Sequence, residues 1–146
     1  MSLTTLPEAA AVIARLSTLA GGRVYDGVPD DTLLVFDPAT GKVRPFIVLS
    51  FGEPLPTAKG RGLGVTEAGQ PHIMPLDVTY VAGTQAEARV LSAAGNALLI
   101  GWVPNSPNSG ELIGVGGNSF TTLDALNKPT RYSRIRYMSC VINMAA

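Results

Sequence analysis

Residues 76–102 constrain this chain more than any other stretch. The segment reads LDVTYVAG and then TQAEARVLSAAGNALLIGW. The first part alternates, with Leu76, Val78, Tyr80 and Ala82 on one face and Asp77, Thr79 and Val81 on the other. That is the period of a β-strand. Gly83 ends the run, and Thr84-Gln85-Ala86-Glu87 follows. This is a capping box: the Thr84 hydroxyl can accept from the Glu87 backbone N–H, and the Glu87 carboxylate can reach back to the Thr84 N–H. The helix it opens carries Val90, Leu91, Ala94, Ala97, Leu98 and Gly101 at i, i+3, i+4 spacing, so these residues are expected to form its apolar stripe. A strand, a tight turn and a long helix folded back onto the sheet are thereby required.

The same logic extends in both directions. Thr5-Leu6-Pro7-Glu8 offers a second capping box, and Ala9, Val12, Ile13, Leu16 and Leu19 a second stripe. Gly21-Gly22 supplies its stop, so a helix is expected over 6–20. Arg23-Val24-Tyr25, residues 33–36 and residues 46–51 read as strands. The turn chemistry of residues 26–31 and of Asp37-Pro38-Ala39-Thr40-Gly41-Lys42 separates them. Residues 111–115 read as a short strand, residues 116–119 as a turn and residues 132–142 as a closing strand. In that last strand Ile135, Tyr137 and Val141 share one face, while Arg134, Arg136, Met138 and Cys140 share the other. The expected fold class is α+β: a mainly antiparallel sheet packed on one face by two helices, as a single domain over 1–146.

Composition narrows the function. In 146 residues, 11 Lys plus Arg balance 11 Asp plus Glu, so no bulk attraction to nucleic acid or to an acidic membrane is implied. Charged residues make up 15%, against about 25% in typical globular chains. A chain so poor in charge covers its surface poorly with solvated groups, which points to neighbouring subunits and a homo-oligomer. A single cysteine, Cys140, excludes a disulfide within the chain. No apolar run approaches the roughly 18 residues of a membrane-spanning helix. The first residues lack the basic start of a secretory signal, so a cytoplasmic site of synthesis and assembly is expected.

Candidate chemistry is sparse. His72 is the sole histidine, and with no local nucleophile motif it reads as a surface-loop residue. Asp26, Asp30 and Asp31 lack the spacing of a calcium loop and read as turn formers. Gly60-Arg61-Gly62-Leu63-Gly64 has the look of a phosphate cradle, but no helix N-terminus follows it. It belongs to a period-free stretch over 53–71, rich in Gly and Pro and holding Lys59 and Arg61. Loops of that length usually carry function, so this one is expected to touch a partner. Arg134 and Arg136 are either a solvated face or an intersubunit contact, and Trp102 is either a packed ring or an interface anchor. No cofactor, metal site or catalytic residue is expected.

Several motifs in order resemble one family. Tyr25-Asp26-Gly27-Val28-Pro29 follows the first helix; Arg44-Pro45-Phe46-Ile47-Val48 opens a strand; Val78-Thr79-Tyr80-Val81-Ala82-Gly83-Thr84 leads into the long helix. That helix closes in Gly101-Trp102-Val103-Pro104, and Lys128-Pro129-Thr130-Arg131-Tyr132 enters the last strand. In order and spacing the chain resembles the tail terminator proteins of long-tailed, non-contractile bacteriophages, over residues 6–142. The departure is at 30–43, where a hairpin is inserted. The resemblance implies a non-enzymatic virion protein at the head-proximal end of the tail. It would form a hexameric ring that caps the tail tube, stops its polymerisation and presents a surface to the head-tail connector. The major tail tube protein and the connector or stopper would be its partners, with DNA passing through the lumen without specific binding. Lys59 and Arg61 then become candidates for tube docking, and Trp102, Arg134 and Arg136 candidates for the ring interface or lumen. Two other readings stay open: a head-tail stopper or neck completion protein, and a small ligand-binding enzyme using the glycine-rich loop.

Overall fold

The computed structural model describes residues 7–56, 71–122 and 131–143. Its elements in chain order are α1 (Pro7–Leu16), β1 (Val24–Asp26), β2 (Phe46–Phe51), β3 (Leu55–Pro56), β4 (Pro71–Ala82), α2 (Gln85–Leu99), β5 (Ile113–Thr122) and β6 (Arg131–Asn143). The sheet order is β1-β2-β4-β6-β5, and β3 lies against β4 beyond the end of β2. Only the β1–β2 pair is parallel; every other pairing is antiparallel. Both helices contribute to one core with the same face of the sheet, as the alternation and the stripes require.

β4 is the axis of this arrangement. It pairs with β6 along its whole length, from Pro71 opposite Asn143 to Ala82 opposite Tyr132. Its buried face presents Met74, Leu76, Val78 and Tyr80 to Val12 and Leu16 of α1 and to Leu91 and Leu99 of α2. The strand begins five residues earlier than alternation alone indicates, so His72 is not on a surface loop but buried within β4, 3% exposed. Pro75 hides this early start. It has no N–H to give, and its carbonyl accepts from Gly52 N at 2.8 Å on the β2 side of the strand. In an antiparallel strand the missing donor faces the same way, so the neighbouring strand breaks there into β2 and β3. Gly52 sits at the break, where a Cβ would come within 2.4 Å of the Pro75 ring.

The α2 cap forms as the sequence requires, with Glu87 N donating to Thr84 Oγ1 at 3.2 Å. The buried stripe is rotated from the expected one. Ala88, Leu91, Ser92, Gly95 and Leu99 face the sheet, whereas Val90 is 70% exposed and Ala97 also faces outward. The cause is the Tyr80 ring beneath the helix. A Cβ on Gly95 would lie 2.3 Å from Tyr80 Cε1, so only glycine lets the helix settle this close. The phenol hydroxyl then donates to Asn96 Oδ1 at 3.0 Å, and Asn96 Nδ2 donates to Ser92 Oγ at 3.4 Å. The helix face is chosen by what fits over a tyrosine, and two polar residues join it because the phenol needs a partner.

Two further expectations are corrected. α1 stops at Leu16, short of residue 20, and a 3₁₀ turn follows over Ala20–Gly22. Residues 33–36 form no strand: a 3₁₀ turn occupies Asp31–Leu33, and Phe36 makes an isolated bridge to Val43. The turn between them does form, with Asp37 N donating to Lys42 O and Gly41 N to Asp37 O. The 30–43 insertion thus adds no strand to the sheet. It folds under the second face, where Leu34 and Val43 join Phe46 and Val81 in a small separate core. Tyr25 closes that core edge-on to Phe46, ring centroids 5.9 Å apart.

Gly95→Ala is expected to lower stability by about 1–3 kcal/mol, since the added methyl must displace the Tyr80 ring or lift the helix. A urea unfolding curve measures it. The double variant with Tyr80→Leu should recover part of the loss; a Gly95→Ala protein as stable as the parent would show that the contact does not hold the helix.

Candidate interaction surface

The residues singled out by sequence separate into distinct environments. Lys59 and Arg61 lie outside the described residues. Trp102 is half-buried against the main core, just past the C-terminus of α2. Arg15 of α1 stacks over its ring, the guanidinium carbon 4.7 Å from the centroid. The same Arg15 donates from Nε to Leu98 O at 2.6 Å. It thereby satisfies one of the carbonyls left open in the last turn of α2 and sets a positive charge at the negative end of that helix. Trp102 N donates to Leu99 O, and Trp102 O accepts from Leu112 N. The tryptophan is part of a clasp joining α1, the end of α2 and the entry to β5.

Arg134 and Arg136 stand on the helix-facing side of β6, in alternation with Met138, Cys140 and Ile142. β6 has β5 as its outer neighbour, and β5 is the edge of the sheet. Arg136 lies across Gly114 of that edge, where a Cβ would be 2.5 Å from one terminal nitrogen, whereas a Cβ on Gly117 would meet the Ile135 backbone carbonyl oxygen at 2.5 Å. Its Nε is buried with no hydrogen-bond partner among the described residues. Sequence reasoning takes the glycines of 116–119 for a turn, yet they belong to one continuous strand. Gly114 pairs with Met138 and Gly116 with Tyr137, so Val115 is an extra residue, a β-bulge. Gly116 adopts φ +145° there, a conformation that favours glycine. The glycines punctuate nothing; they make the bulge and clear room for a guanidinium.

Beyond β1 and β2, no helix among the described residues covers the second face of the sheet. Ile73, Ile113, Tyr137 and Val141 are 41–54% exposed on it, and Val115 at the bulge is 69% exposed. Asp77 lies on this same face opposite Tyr137, and partial burial raises its carboxyl above the ordinary range. At the other edge, Asp26 ends β1 and is exposed. Gly27 N donates to Leu49 O, Tyr25 Oη to Leu33 O at 3.1 Å, and Thr32 N to the Asp30 carboxylate at 3.4 Å. These bonds hold a turn whose apolar residues Val28 (90%), Leu33 and Val35 are exposed.

Polar groups do occur inside the main core, where no pattern of residues signals them. Glu8 is buried and accepts from Asn105 Nδ2 at 3.2 Å, which ties the start of α1 to the loop after α2. Cys140 is nearby, and burial together with the Glu8 charge pushes its thiol up to about 11 from an ordinary 9.0. Burial likewise raises the Tyr80 phenol, partly offset by the Arg136 guanidinium. No group of three His, Cys, Asp or Glu among the described residues is placed to hold a metal ion. No described helix is long and apolar enough to cross a membrane.

No protein-family model matches the chain, and no curated protein matches it. Solved structures do. One, from the "Virion of native gene transfer agent (GTA) particle", is 19% identical, with a TM-score of 0.55 over 91% of this chain and 92% of that one. The likeness establishes a shared fold across nearly the full length of both chains.

The raised thiol and phenol set an alkaline limit. Above the ordinary thiol value of 9.0 the unfolded chain releases protons that the folded chain retains. The native state then binds more protons than the unfolded one, so stability falls as pH rises. The loss is expected to begin near pH 9 and to reach at most about 1.4 kcal/mol per pH unit for each such group. Urea midpoints between pH 8 and 11 measure it, and Cys140→Ala should flatten part of the slope. Equal slopes in the two proteins would remove Cys140 from the account.

Proposed function

We propose that this chain is a structural protein of a phage-type virion, assembling as a ring that caps the tail tube and stops its growth. The observation that carries this reading is the fold shared end to end with a chain of a gene transfer agent virion. The motif order resembling tail terminators, from Tyr25-Asp26-Gly27-Val28-Pro29 to Gly101-Trp102-Val103-Pro104, gives the finer role. Low charge content and two uncovered apolar surfaces support an assembled state.

The mechanism is occlusion. Copies associate side by side into a closed ring, a hexamer by the resemblance. One rim reproduces enough of a tube subunit's contacts to dock on the tube end. The other rim offers no site for another tube layer and receives the head-side connector. Lys59 and Arg61 are the docking candidates, Arg134 and Arg136 the ring candidates, and DNA crosses the lumen without specific contact. Trp102, clasped by Arg15, acts through the shape of the subunit it closes. No step requires a bond to be made or broken.

Negative-stain microscopy of the protein mixed with tail tubes assembled without a terminator tests this. Rings seated at one tube end, and tubes that stop lengthening, are expected. Arg61→Ala should leave the fold intact and weaken docking. Tubes that keep growing uncapped, with the protein bound instead to filled heads, would move the assignment to a stopper of the head-tail junction.

A further inference from the structure

The two edges of the sheet are unlike each other, and each lacks what the other carries. At the β5 edge lie ten consecutive residues, Ile113–Thr122, with no charge and no proline. Sheet edges are commonly blunted by lysine, proline or a covering element, because open backbone groups recruit another chain. Among the described residues the strand carries only its bulge against this. Ile113, Val115 and Tyr137 border it on the open face, and Arg134 and Arg136 on the helix face. At the β1 edge the strand is three residues long. Beside it stand Asp26 and Asp30, both exposed, together with the exposed apolar Val28, Leu33 and Val35.

We infer that the β1 edge of one copy, with its acid-flanked turn over 26–35, docks against the β5 edge of the next copy, placing Asp26 and Asp30 toward Arg134 and Arg136. This rests on the assembled state proposed above and names its contact. The occupant of each edge is a second copy of this chain, for two reasons. Asp26 and Asp30 complement Arg134 and Arg136 across unlike edges, whereas β5 against β5 sets arginine beside arginine and β1 against β1 sets these two aspartates beside their copies. Apolar residues are uncovered on both sides, so each edge hides what the other exposes. Because the paired surfaces differ, the contact is heterologous, and repetition closes a ring when the rotation between copies permits. An acidic group brought from the neighbour would also face the Arg136 side chain, whose Nε has no hydrogen-bond partner among the described residues.

Two reporters, each with one introduced cysteine, test it. Val28→Cys and Val115→Cys sit at strongly exposed positions, and the native Cys140 is buried, so neither folding nor the native thiol interferes. The two proteins are mixed in equal amounts and treated with a short bis-maleimide, free at high concentration and again on tail tubes. A heterotypic Val28→Cys to Val115→Cys product is expected to dominate over both homotypic products. Adding Asp26→Lys and Asp30→Lys to the first partner should cut its yield about tenfold. Arg134→Glu in the second partner should restore it. Homotypic products in excess, or no product in either setting, overturn the inference. The outcome separates from the capping role. Caps that form without the heterotypic product sink this interface alone, whereas the product formed on protein that leaves tubes uncapped sinks the terminator assignment alone.

Discussion

The contact between Gly95 and the Tyr80 ring fixes the separation of helix and sheet, and with it most of the molecule. Tyr80 is fully buried near the C-terminal end of β4, with β2 on one side and β6 on the other. A long helix passing over so large a side chain must either ride high, leaving a gap around the ring, or carry no side chain where it crosses. The chain takes the second course. The helix then comes close enough for Asn96 to meet the phenol hydroxyl, so the single polar atom of the ring is satisfied at 3.0 Å. An unmet hydroxyl there would cost about 1–3 kcal/mol. α1 is set in turn by α2, through Arg15 on the last turn and the Trp102 ring.

Much of this architecture is legible in residue order. The alternation of 76–82, the Thr84 cap and the apolar stripe of α1 lead directly to a sheet covered on one face by two helices. What is not legible has one physical root: small and polar residues are placed by their neighbours, which a linear pattern does not display. Counting large apolar side chains selects Val90 and Leu98 for the α2 face, yet the face belongs to Gly95 and Ser92 because Tyr80 lies under them. Glycines near 116 look like a turn, yet they serve Arg136 and a bulge. His72 looks exposed beside Pro71, yet Pro75 interrupts one flank of the strand without ending it. The apolar run Leu33-Leu34-Val35-Phe36 suggests a strand, but with β1 and β4 on the two sides of β2 the 30–43 insertion becomes a cover for Phe46 and Val81.

The candidate surface was legible to a different degree. Arg134 and Arg136 are identifiable as a same-face pair from the alternation of β6. Their significance is not, because it depends on β5 being the outermost strand and on Gly114 lying beneath Arg136. The exposed Val28, Leu33 and Val35 are equally mute in sequence. Apolar residues in a run of turns read as ordinary until the sheet order shows that they stand at its opposite edge.

Those edges bear on what kind of work the chain does. The shifted groups here are Cys140 and Tyr80, raised in the main core, and Asp77, raised on the opposite face of the sheet. Burial raises all three, the neutralising direction, which is what desolvation alone produces. Among the described residues, the departures from ordinary globular design lie at the periphery: an uncharged ten-residue edge, apolar residues exposed on both flanks, and a buried guanidinium nitrogen with no acceptor among those residues. An isolated subunit gains nothing in stability from any of them. Each becomes favourable only against a further protein surface, which is why they support the assembled state proposed above.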